Sequence, residues 1–471
     1  MDTERPQGAW YQLSLFGSTD RARLGVGGDG GTEAAACEES QASTASGPKR
    51  ALCGELMEKV CAWGNFRRAL RRVRSNKGAP GIDGMTVEEL GPWLAENGEE
   101  LRAALLSGQY EPQPVRAVEI PKVSGGMRRL GIPTVIDRFV QQSILQMLEP
   151  ELDPSFSDSS YGFRPGRSTH QALGQAREYV AEGRSIVVDI DLESFFDRVN
   201  HDVLMARLAR RITDKRLLRT VRRFLEAGMM QEGVCIRRYE GTPQGGPLSP
   251  LLSNLLLDDL DKELERRGHA FCRYADDCNI YVRSQAAGER VMASVTRFLE
   301  RKLRLRVNRN KSAVAPVWER KFLGYRVLSR GRLGIAPQSL ERAKQRIRRI
   351  TRRNRGVSLV QMIRELNSFL TGWVTYFRYA ECKGHLQRLD EWMRRKLRCV
   401  RLKQRKRVKS IADFLQQLGV PEWRAWILAL SGKGWWRKAG SPPAAEAMNN
   451  AWFVAQGLVP LTHRHTALQQ S

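Results

Sequence analysis

The chain has 471 residues, 41% hydrophobic and 27% charged, so it is long enough for about three ordinary domains and should fold rather than stay disordered. Its 78 Lys and Arg against 51 Asp and Glu give a net charge of +27, which makes a folded monomer repel itself unless a polyanion neutralises it. Nucleic acid is therefore the expected partner, and the 11 Trp and large apolar fraction favour an enzyme over a histone-like or ribosome-binding protein.

The N-terminal pattern predicts neither a targeting signal nor a folded element. The first residues lack a basic start followed by an apolar run, and no stretch approaches about 18 consecutive apolar residues, so we expect a cytoplasmic protein. Residues 17–48 are rich in Gly, Ser, Thr and Ala without apolar periodicity. This composition predicts a flexible leader over residues 1–48.

The middle of the chain mixes helical and strand-like patterns. Residues 49–110 have helical periodicity interrupted by a glycine-rich loop at Ser75–Gly84, and strand-like and turn-like pieces alternate over residues 111–140. The apolar, β-branched run Ser185–Leu192 predicts a buried strand. The segment HAFCRYADDCNIYV (269–282) predicts two strands joined by a polar turn. Helical patterns lie between these strands, so the chain should contain both helices and strands.

The turn sequence YADD (274–277) places two adjacent carboxylates, Asp276 and Asp277, where neither can move away from the other's charge. Divalent cations resolve such repulsion, and Mg²⁺ prefers oxygen ligands while keeping coordination positions for substrate phosphates. A polar hairpin turn without chemistry is the alternative, since Asp is a common turn residue. On the preceding strand Asp189 and Asp191 share a face, so one or both could join the turn carboxylates.

Beyond residue 338 the chain becomes helical and strongly cationic. Residues 341–410 hold 22 Lys or Arg against five Asp or Glu, an excess of 17 positive charges. The apolar residues keep helical spacing, as in Leu359, Ile363 and Leu366. A solvated charged face explains any one such helix, whereas several in succession with one sign of charge favour RNA or DNA binding.

Several segments resemble, in order and spacing, the core motifs of group II intron reverse transcriptases. The strongest are YADD, DLESFFDRVNHD (191–202) and GTPQGGPLSPLLSNLLLDDLD (241–261). In register with them are NKGAPGIDG (76–84), IPKVSGGMRRLGIPTVIDR (120–138), SYGFRPGRSTHQA (160–172), LRVNRNKS (305–312) and FLGY (322–325). The resemblance spans residues 49–330, and SGKGWWR (431–437) with NAWFVAQGL (450–458) extends it.

The resemblance implies the α+β fold class. It implies a right-hand polymerase with fingers, a palm built on an antiparallel sheet, and a helical thumb that merges with an α-helical maturase domain. The implied segments are a leader over 1–48, fingers over 49–182, the palm over 183–330, the thumb and maturase domain over 331–420, and a small basic and aromatic segment over 421–471. Whether that last segment binds DNA or caps the thumb stays open. The compact bacterial type without an endonuclease module is the nearest match, so second-strand cleavage by the protein itself is not expected.

The resemblance also selects the metal ligands. The Asp that begins the motif at position 191 is a metal ligand in such enzymes, so the implied catalytic carboxylates are Asp191, Asp276 and Asp277, which would hold two Mg²⁺ ions. Phe196 matches the aromatic residue that excludes a ribose 2′-hydroxyl. An ordinary core Phe is the alternative at that position.

Further side chains are implied around the nucleotide and the template. Lys122 and Arg128 match fingers residues that meet the triphosphate, with Arg129 as a competing candidate. Lys311 matches a Lys that protonates the leaving pyrophosphate, and a plain surface Lys is the alternative. Gln244 resembles a residue near the nascent base pair. The residues implied to contact nucleic acid are Arg164, Arg167 and Gly245, and packing against acidic loops is the alternative for the two arginines.

The implied activity is RNA-directed DNA polymerisation by two-metal phosphoryl transfer on an intron RNA that the protein also binds and helps to splice. The implied partners are intron RNA, an RNA template, a DNA primer or target, and dNTPs. Two alternatives stay open: a non-catalytic RNA-binding splicing factor, and a domesticated reverse transcriptase without an intron. The intact set Asp191, Asp276 and Asp277 speaks against the first. Whether the protein forms a homodimer also stays open.

Overall fold

The computed structural model describes residues 55–121, 126–231, 234–236, 239–242 and 245–470. Within these residues the chain forms two compact units that divide between Arg320 and Lys321, named here the N-terminal unit and the C-terminal unit. The predicted flexible leader over residues 1–48 lies outside the described residues. The predicted bounds of the fingers, palm and thumb segments stay predictions.

The helices of the N-terminal unit alternate with its strands. They are α1 (Leu56–Val60), α2 (Trp63–Ser75), α3 (Leu90–Leu106), α4 (Val135–Leu152), α5 (Thr169–Ala181), α6 (His201–Ala209), α7 (Lys215–Glu226), α8 (Ser249–Arg266) and α9 (Gln285–Phe298). Polar side chains fix where several of them begin. Ser168 and Gln171 form a capping box at α5, and the Ser284 hydroxyl accepts a hydrogen bond from the first turn of α9.

The strands of the N-terminal unit form two sheets. They are β1 (Val115–Pro121), β2 (Met127–Ile132), β3 (Ile186–Ile190), β4 (Met229–Gln231), β5 (Val234–Ile236), β6 (Ala270–Tyr274), β7 (Asp277–Val282) and β8 (Ala313–Pro316). The first sheet has the order β2-β1-β4-β5. In it β1 and β2 pair as an antiparallel hairpin, whereas β1 and β4 run parallel.

The second sheet has the order β6-β7-β3-β8, and each neighbouring pair is antiparallel. The predicted buried strand is β3 and the predicted hairpin is β6 with β7, so both predictions are confirmed, as are the α+β class and the antiparallel sheet. Helices α5 and α9 pack on this sheet, which explains why β3 is buried over residues 187–190. The edge strand β8 was not predicted, because its four residues form a strand only by pairing with β3.

Helix α8 lies in the core of the N-terminal unit. Residues 251–258 are buried without interruption, whereas Lys262, Glu265 and Arg266 near the end of the helix are exposed. The buried apolar residues are Leu251, Leu252, Leu255, Leu256, Leu257, Leu260 and Leu264. The polar residues Asn254 and Asp261 on α8 are also buried, so they need hydrogen-bond partners inside the protein.

The C-terminal unit is mainly helical. Its elements are β9 (Tyr325–Val327), β10 (Leu333–Ile335), α10 (Pro337–Ile350), α11 (Leu359–Tyr376), α12 (Lys383–Gln404), α13 (Val408–Gln417), α14 (Glu422–Leu430), α15 (Trp435–Lys438), α16 (Pro442–Ala447), α17 (Asn450–Ala455) and α18 (Leu461–Gln470). The predicted apolar spacing on α11 is confirmed, since Leu359, Ile363 and Leu366 are all buried. Over the described part of the chain, no helix is both long enough and apolar enough to cross a membrane.

The last helix, α18, is held by a buried carboxylate. Asp390 on α12 accepts hydrogen bonds from the backbone N–H of Leu461, at 3.2 and 3.1 Å to its two oxygens, and from that of Thr462 at 3.4 Å. The N–H groups of a first helical turn have no partner within the helix. A negative charge at this end is also favoured by the helix dipole.

We expect Asp390→Ala to weaken the attachment of α18 by about 1–3 kcal/mol, because several backbone donors lose a buried acceptor. At urea concentrations where the rest of the C-terminal unit is still folded, amide hydrogen exchange over residues 461–470 should be faster in this variant than in the parent protein. Glu422→Ala removes an exposed carboxylate at the start of α14 and is the matched control. Equal protection of α18 in Asp390→Ala and the parent protein would contradict this role.

Candidate functional site

The predicted carboxylates lie at one end of the second sheet. β3 pairs with β7 in a register whose last pair is Ile190 with Cys278. Asp191 directly follows Ile190, and Asp277 directly precedes Cys278, so both carboxylates adjoin the same end of this pair of strands. Asp276 precedes Asp277 directly in the hairpin turn. The fold therefore brings together three acidic positions that are distant in the sequence.

The YADD turn is tight and closely covered. Tyr274 pairs with Asp277, which leaves Ala275 and Asp276 as a two-residue hairpin loop. Ala275 has a φ of +58°, a left-handed conformation that is uncommon for a residue with a side chain. A Cβ at Gly162 would lie 2.2 Å from the backbone nitrogen of Ala275, so only glycine lets the chain approach the turn this closely.

The chemistry of the three side chains suits Mg²⁺, because all are partly exposed and offer only carboxylate oxygens. Within the residues that the structure describes, no group of three or more His, Cys, Asp or Glu side chains is arranged to hold a metal ion. The backbone positions meet, but the carboxylates do not converge on a completed metal site. Asp191 instead faces Lys311, whose Nζ lies 3.7 Å from its Oδ1.

The loop that carries Lys311 is fastened to β3. The backbone N–H of Asp191 donates to the Ser312 hydroxyl oxygen at 3.0 Å. Arg320 donates to Oδ2 of Asp189 at 2.8 and 2.6 Å and to the Lys311 carbonyl oxygen at 2.6 Å. Periodicity alone did not separate Asp189 from Asp191. In the structure Asp189 is buried in an ion pair with Arg320, whereas Asp191 lies beyond the end of the strand.

Phe196 is half-buried and lies in a helical turn after β3, edge-on to the buried Phe195 with ring centroids 5.2 Å apart. The backbone N–H of Thr242 donates to the Phe196 carbonyl oxygen at 2.6 Å. One residue earlier, the Gly241 carbonyl oxygen accepts a hydrogen bond from Nε2 of the buried His201 at 2.7 Å. The backbone that leads into the PQGGP motif is therefore fixed against Phe196.

The other predicted nucleotide contacts are only partly visible. Lys122 and Gln244 lie outside the described residues. Arg128 lies in β2 of the first sheet. The competing candidate, Arg129, forms an exposed ion pair with Glu119 across the β1–β2 hairpin at 3.2 Å. The choice between Arg128 and Arg129 stays a prediction.

The two predicted template arginines differ in their surroundings. Arg164 is buried: its Nε donates to Asp153 Oδ1 at 2.7 Å, and its other nitrogens donate to backbone carbonyls. Arg167 is partly exposed and pairs with the exposed carboxylate of Asp158. Gly245 has a φ of +138°, in the region that favours glycine. The buried ion pair of Arg164 with Asp153 fits the alternative of packing against an acidic loop, and the template contacts of both arginines stay predictions.

A buried arginine that no sequence prediction included ties the YADD turn to the core. The Arg273 side chain on β6 is 1% exposed. Its Nε and Nη2 donate to the two carboxylate oxygens of Asp261 at 2.7 and 2.6 Å. Its Nη1 donates to Asn254 Oδ1 at 3.0 Å and to the Ala275 carbonyl oxygen at 2.8 Å. Nη2 also donates to the Ser160 hydroxyl oxygen at 2.7 Å.

Burial acts to lower the pKa of Arg273, but the Asp261 carboxylate more than offsets it, so this pKa lies above its ordinary value. Removing one partner of such a buried pair costs roughly 3–5 kcal/mol. The sequence does carry a signal, because a charged residue within an apolar strand needs a buried partner. The signal does not say which partner, since Asn254 and Asp261 share a motif with other acidic residues.

The cations of α12 are partly covered by aromatic rings. The guanidinium of Arg395 lies over the Trp436 ring at 4.2 Å. Those of Arg401 and of Arg405, which directly follows α12, lie over the Phe414 ring at 5.0 and 4.3 Å. Each is a cation–π contact within the C-terminal unit. Part of the cationic face of α12 is thus packed against the C-terminal helices.

Helix α10 has exposed cations, among them Arg346 and Arg349. Arg346 flanks the stripe of buried residues that includes Ile347 and Ile350, and Arg349 lies farther from it. No ion pair of Arg346 or Arg349 is found among the described residues. This face of α10 is available to a polyanion.

Comparison with known proteins gives two family matches. Residues 120–327 match the family described as reverse transcriptase (RNA-dependent DNA polymerase), and residues 340–419 match the group II intron, maturase-specific domain. The chain is 36% identical to Protein YkfC of Escherichia coli (strain K12) over 309 residues, covering 56% of this chain and 81% of YkfC.

A second relative is the group II intron-encoded protein LtrA of Lactococcus lactis subsp. cremoris. The two are 37% identical over 195 residues, which make up 41% of this chain and only 32% of LtrA. Among solved structures, telomerase from Candida albicans in complex with a TWJ fragment of telomeric RNA is similar with a TM-score of 0.39 and 14% identity, covering 62% of this chain and 60% of that chain.

Proposed function

Because the chain belongs to the reverse transcriptase (RNA-dependent DNA polymerase) family and carries a group II intron maturase-specific domain, we propose that it binds a group II intron RNA, assists its splicing and copies it into DNA during retromobility. The observation that supports the proposal is the register of β3 against β7, in which the last pair, Ile190 with Cys278, is directly adjoined by Asp191 and Asp277. Acidic side chains at the ends of paired strands are suited to phosphoryl transfer because the strands hold them rigidly.

Asp191, Asp276 and Asp277 would hold two Mg²⁺ ions. Their oxygens are the ligands that Mg²⁺ prefers, and their partial exposure leaves access for substrate phosphates. When bound, the ions supply activation of the primer 3′-hydroxyl and charge stabilisation of the triphosphate during in-line displacement. The protein's own part is to hold the three carboxylates at one end of the sheet.

Lys311 is proposed to act on the triphosphate. Its ammonium group lies beside Asp191. We infer that it donates a proton to the leaving pyrophosphate, while Arg320 holds the Lys311 backbone. Lys122 and Arg128 would add positive charge from the fingers. Gln244 and Gly245 would lie near the base pair, and Arg167 near the template phosphates.

Phe196→Ala should admit ribonucleotides. The ring is half-buried and its backbone is held by Thr242, so it can form a fixed barrier beside the sugar. We expect the ratio of kcat/KM for dNTPs to that for rNTPs to fall by about tenfold or more. Single-nucleotide incorporation with each substrate measures this ratio. An unchanged ratio in an active variant would assign Phe196 to the core instead.

RNA binding is proposed for the C-terminal unit. The excess of positive charge over residues 341–410 and the exposed arginines of α10 favour phosphate contacts. Recognition of folded RNA depends mostly on shape and on backbone contacts. The match of residues 340–419 to the maturase-specific domain supports the same assignment.

The proposal is tested by primer extension with the full chain, an RNA template, a DNA primer, dNTPs and Mg²⁺. We expect DNA products up to the template length, and none when EDTA removes the metal. No product from a folded protein that binds RNA would favour the non-catalytic splicing factor. Sequencing of the RNA that copurifies should show a group II intron, and its absence from an active polymerase would favour a domesticated enzyme.

A further inference from the structure

We propose that Arg273 is a positioning residue for DNA synthesis, which fixes the turn that presents Asp276 and Asp277. The inference rests on the proposed function, because it concerns the same carboxylates. Arg273 is too deeply buried to touch a substrate. It acts through its contact with the Ala275 carbonyl oxygen, inside the turn itself.

The turn needs such an anchor. Its loop has only two residues, and Ala275 is held at a positive φ, a conformation that persists only when the surroundings enforce it. A hydrogen bond to the Ala275 carbonyl oxygen fixes the orientation of the peptide group that leads directly into Asp276. Arg273 thereby sets the direction in which the adjacent carboxylates leave the sheet.

The anchor is rigid at its other end. Asp261, which binds two nitrogens of the guanidinium, is fully buried on α8, and α8 is held in the core by its own buried leucines. A guanidinium is planar and can bind several partners along different edges at once. A lysine would keep the charge at this position but could not reach Asp261, Asn254 and Ala275 together.

The same guanidinium also fixes the loop that covers the turn. Besides the contact with the Ser160 hydroxyl, the Arg273 backbone accepts a hydrogen bond from Tyr161 N–H and donates one to the Ser159 carbonyl oxygen, both at 2.9 Å. Asn254 donates to the carbonyl oxygen of Gly162 at 2.9 Å, where the loop approaches the turn. Helix α8, the covering loop and the YADD turn are therefore linked through one side chain.

Two conservative variants test the proposal, and each keeps a buried ion pair. Arg273→Lys replaces the guanidinium with an ammonium group, and Asp261→Glu displaces the guanidinium by lengthening its partner. We expect kcat for primer extension to fall about tenfold to hundredfold, as small misplacements of reacting groups do. The KM for dNTP should stay within about threefold, since no nucleotide contact is removed. Hydrogen exchange in the protein without metal or substrate should become faster at residues 275–277 and stay unchanged in the rest of the sheet.

Arg207→Lys is the matched control. Arg207 donates to Asp259 on the same helix α8 at 3.0 Å, but it makes no contact with the turn, so both kcat and the exchange at residues 275–277 should match the parent. An unchanged kcat in folded Arg273→Lys would overturn the proposal. So would faster exchange spread evenly over α8 and the sheet, because that pattern belongs to general packing. If the parent protein makes no DNA, the proposed function fails. Hydrogen exchange at residues 275–277 in the variants and the parent would still decide whether Arg273 fixes the turn.

Discussion

Replacing Asp276 with Ala should abolish DNA synthesis while RNA binding stays within a few fold of the parent. Asp276 lies in the two-residue turn next to Asp277, and Asp191 directly follows the β3 residue that pairs with Cys278. Without Asp276, only two of the three carboxylates that would hold the metal ions remain. We expect primer extension to fall by on the order of 10³-fold or more, as for loss of a group that stabilises transition-state charge.

The control for Asp276→Ala is Asp202→Ala. Asp202 belongs to the DLESFFDRVNHD motif, but its side chain is exposed and pairs with Arg222 on the surface, so its loss should change primer extension by no more than about twofold. Filter binding with intron RNA measures the second activity. Loss of both synthesis and RNA binding in a folded Asp276→Ala protein would contradict the division of labour between the two units.

The parts of the fold that could be predicted are those encoded by local periodicity. The β-branched run of β3 and the buried stripe of α11 are visible in single short windows, because burial selects apolar residues at fixed spacing. The YADD hairpin was predicted for the same reason, with two apolar runs around polar turn residues. The short strand β8 was not predicted, since its pairing with β3 depends on residues more than 120 positions away.

The sequence predicted only those site residues that belong to the recognised motifs. Periodicity placed Asp189 and Asp191 on one face without choosing between them, and the structure separates them through Arg320, a partner 131 positions from Asp189. The role of Arg273 was missed because its partners, Asp261 and Ser160, lie on a helix and a loop that only tertiary folding brings together. Ion-pair partners of this kind have no local sequence pattern.

Reversing two charges on α10 should weaken RNA binding and leave DNA synthesis intact, which is the reverse of the effect expected for Asp276→Ala. Arg346→Glu with Arg349→Glu reverses two exposed charges and replaces none of the buried residues of the helix. Because each phosphate contact releases counterions, loss of two contacts should lower the slope of log affinity against log salt by about 2. We expect affinity for intron RNA to fall about tenfold to hundredfold at moderate salt.

The matched control carries the same change of net charge elsewhere: Arg290→Glu with Arg297→Glu on α9, where both side chains are also exposed. If binding depended only on the overall charge of +27, the two double variants would lose affinity equally, and the assignment of RNA binding to α10 would be wrong. Primer extension on a short template should remain near the parent level in both variants. A polymerase that stays active while it loses its intron RNA would show that the two activities rest on different contacts, since the carboxylates of the sheet remain in place.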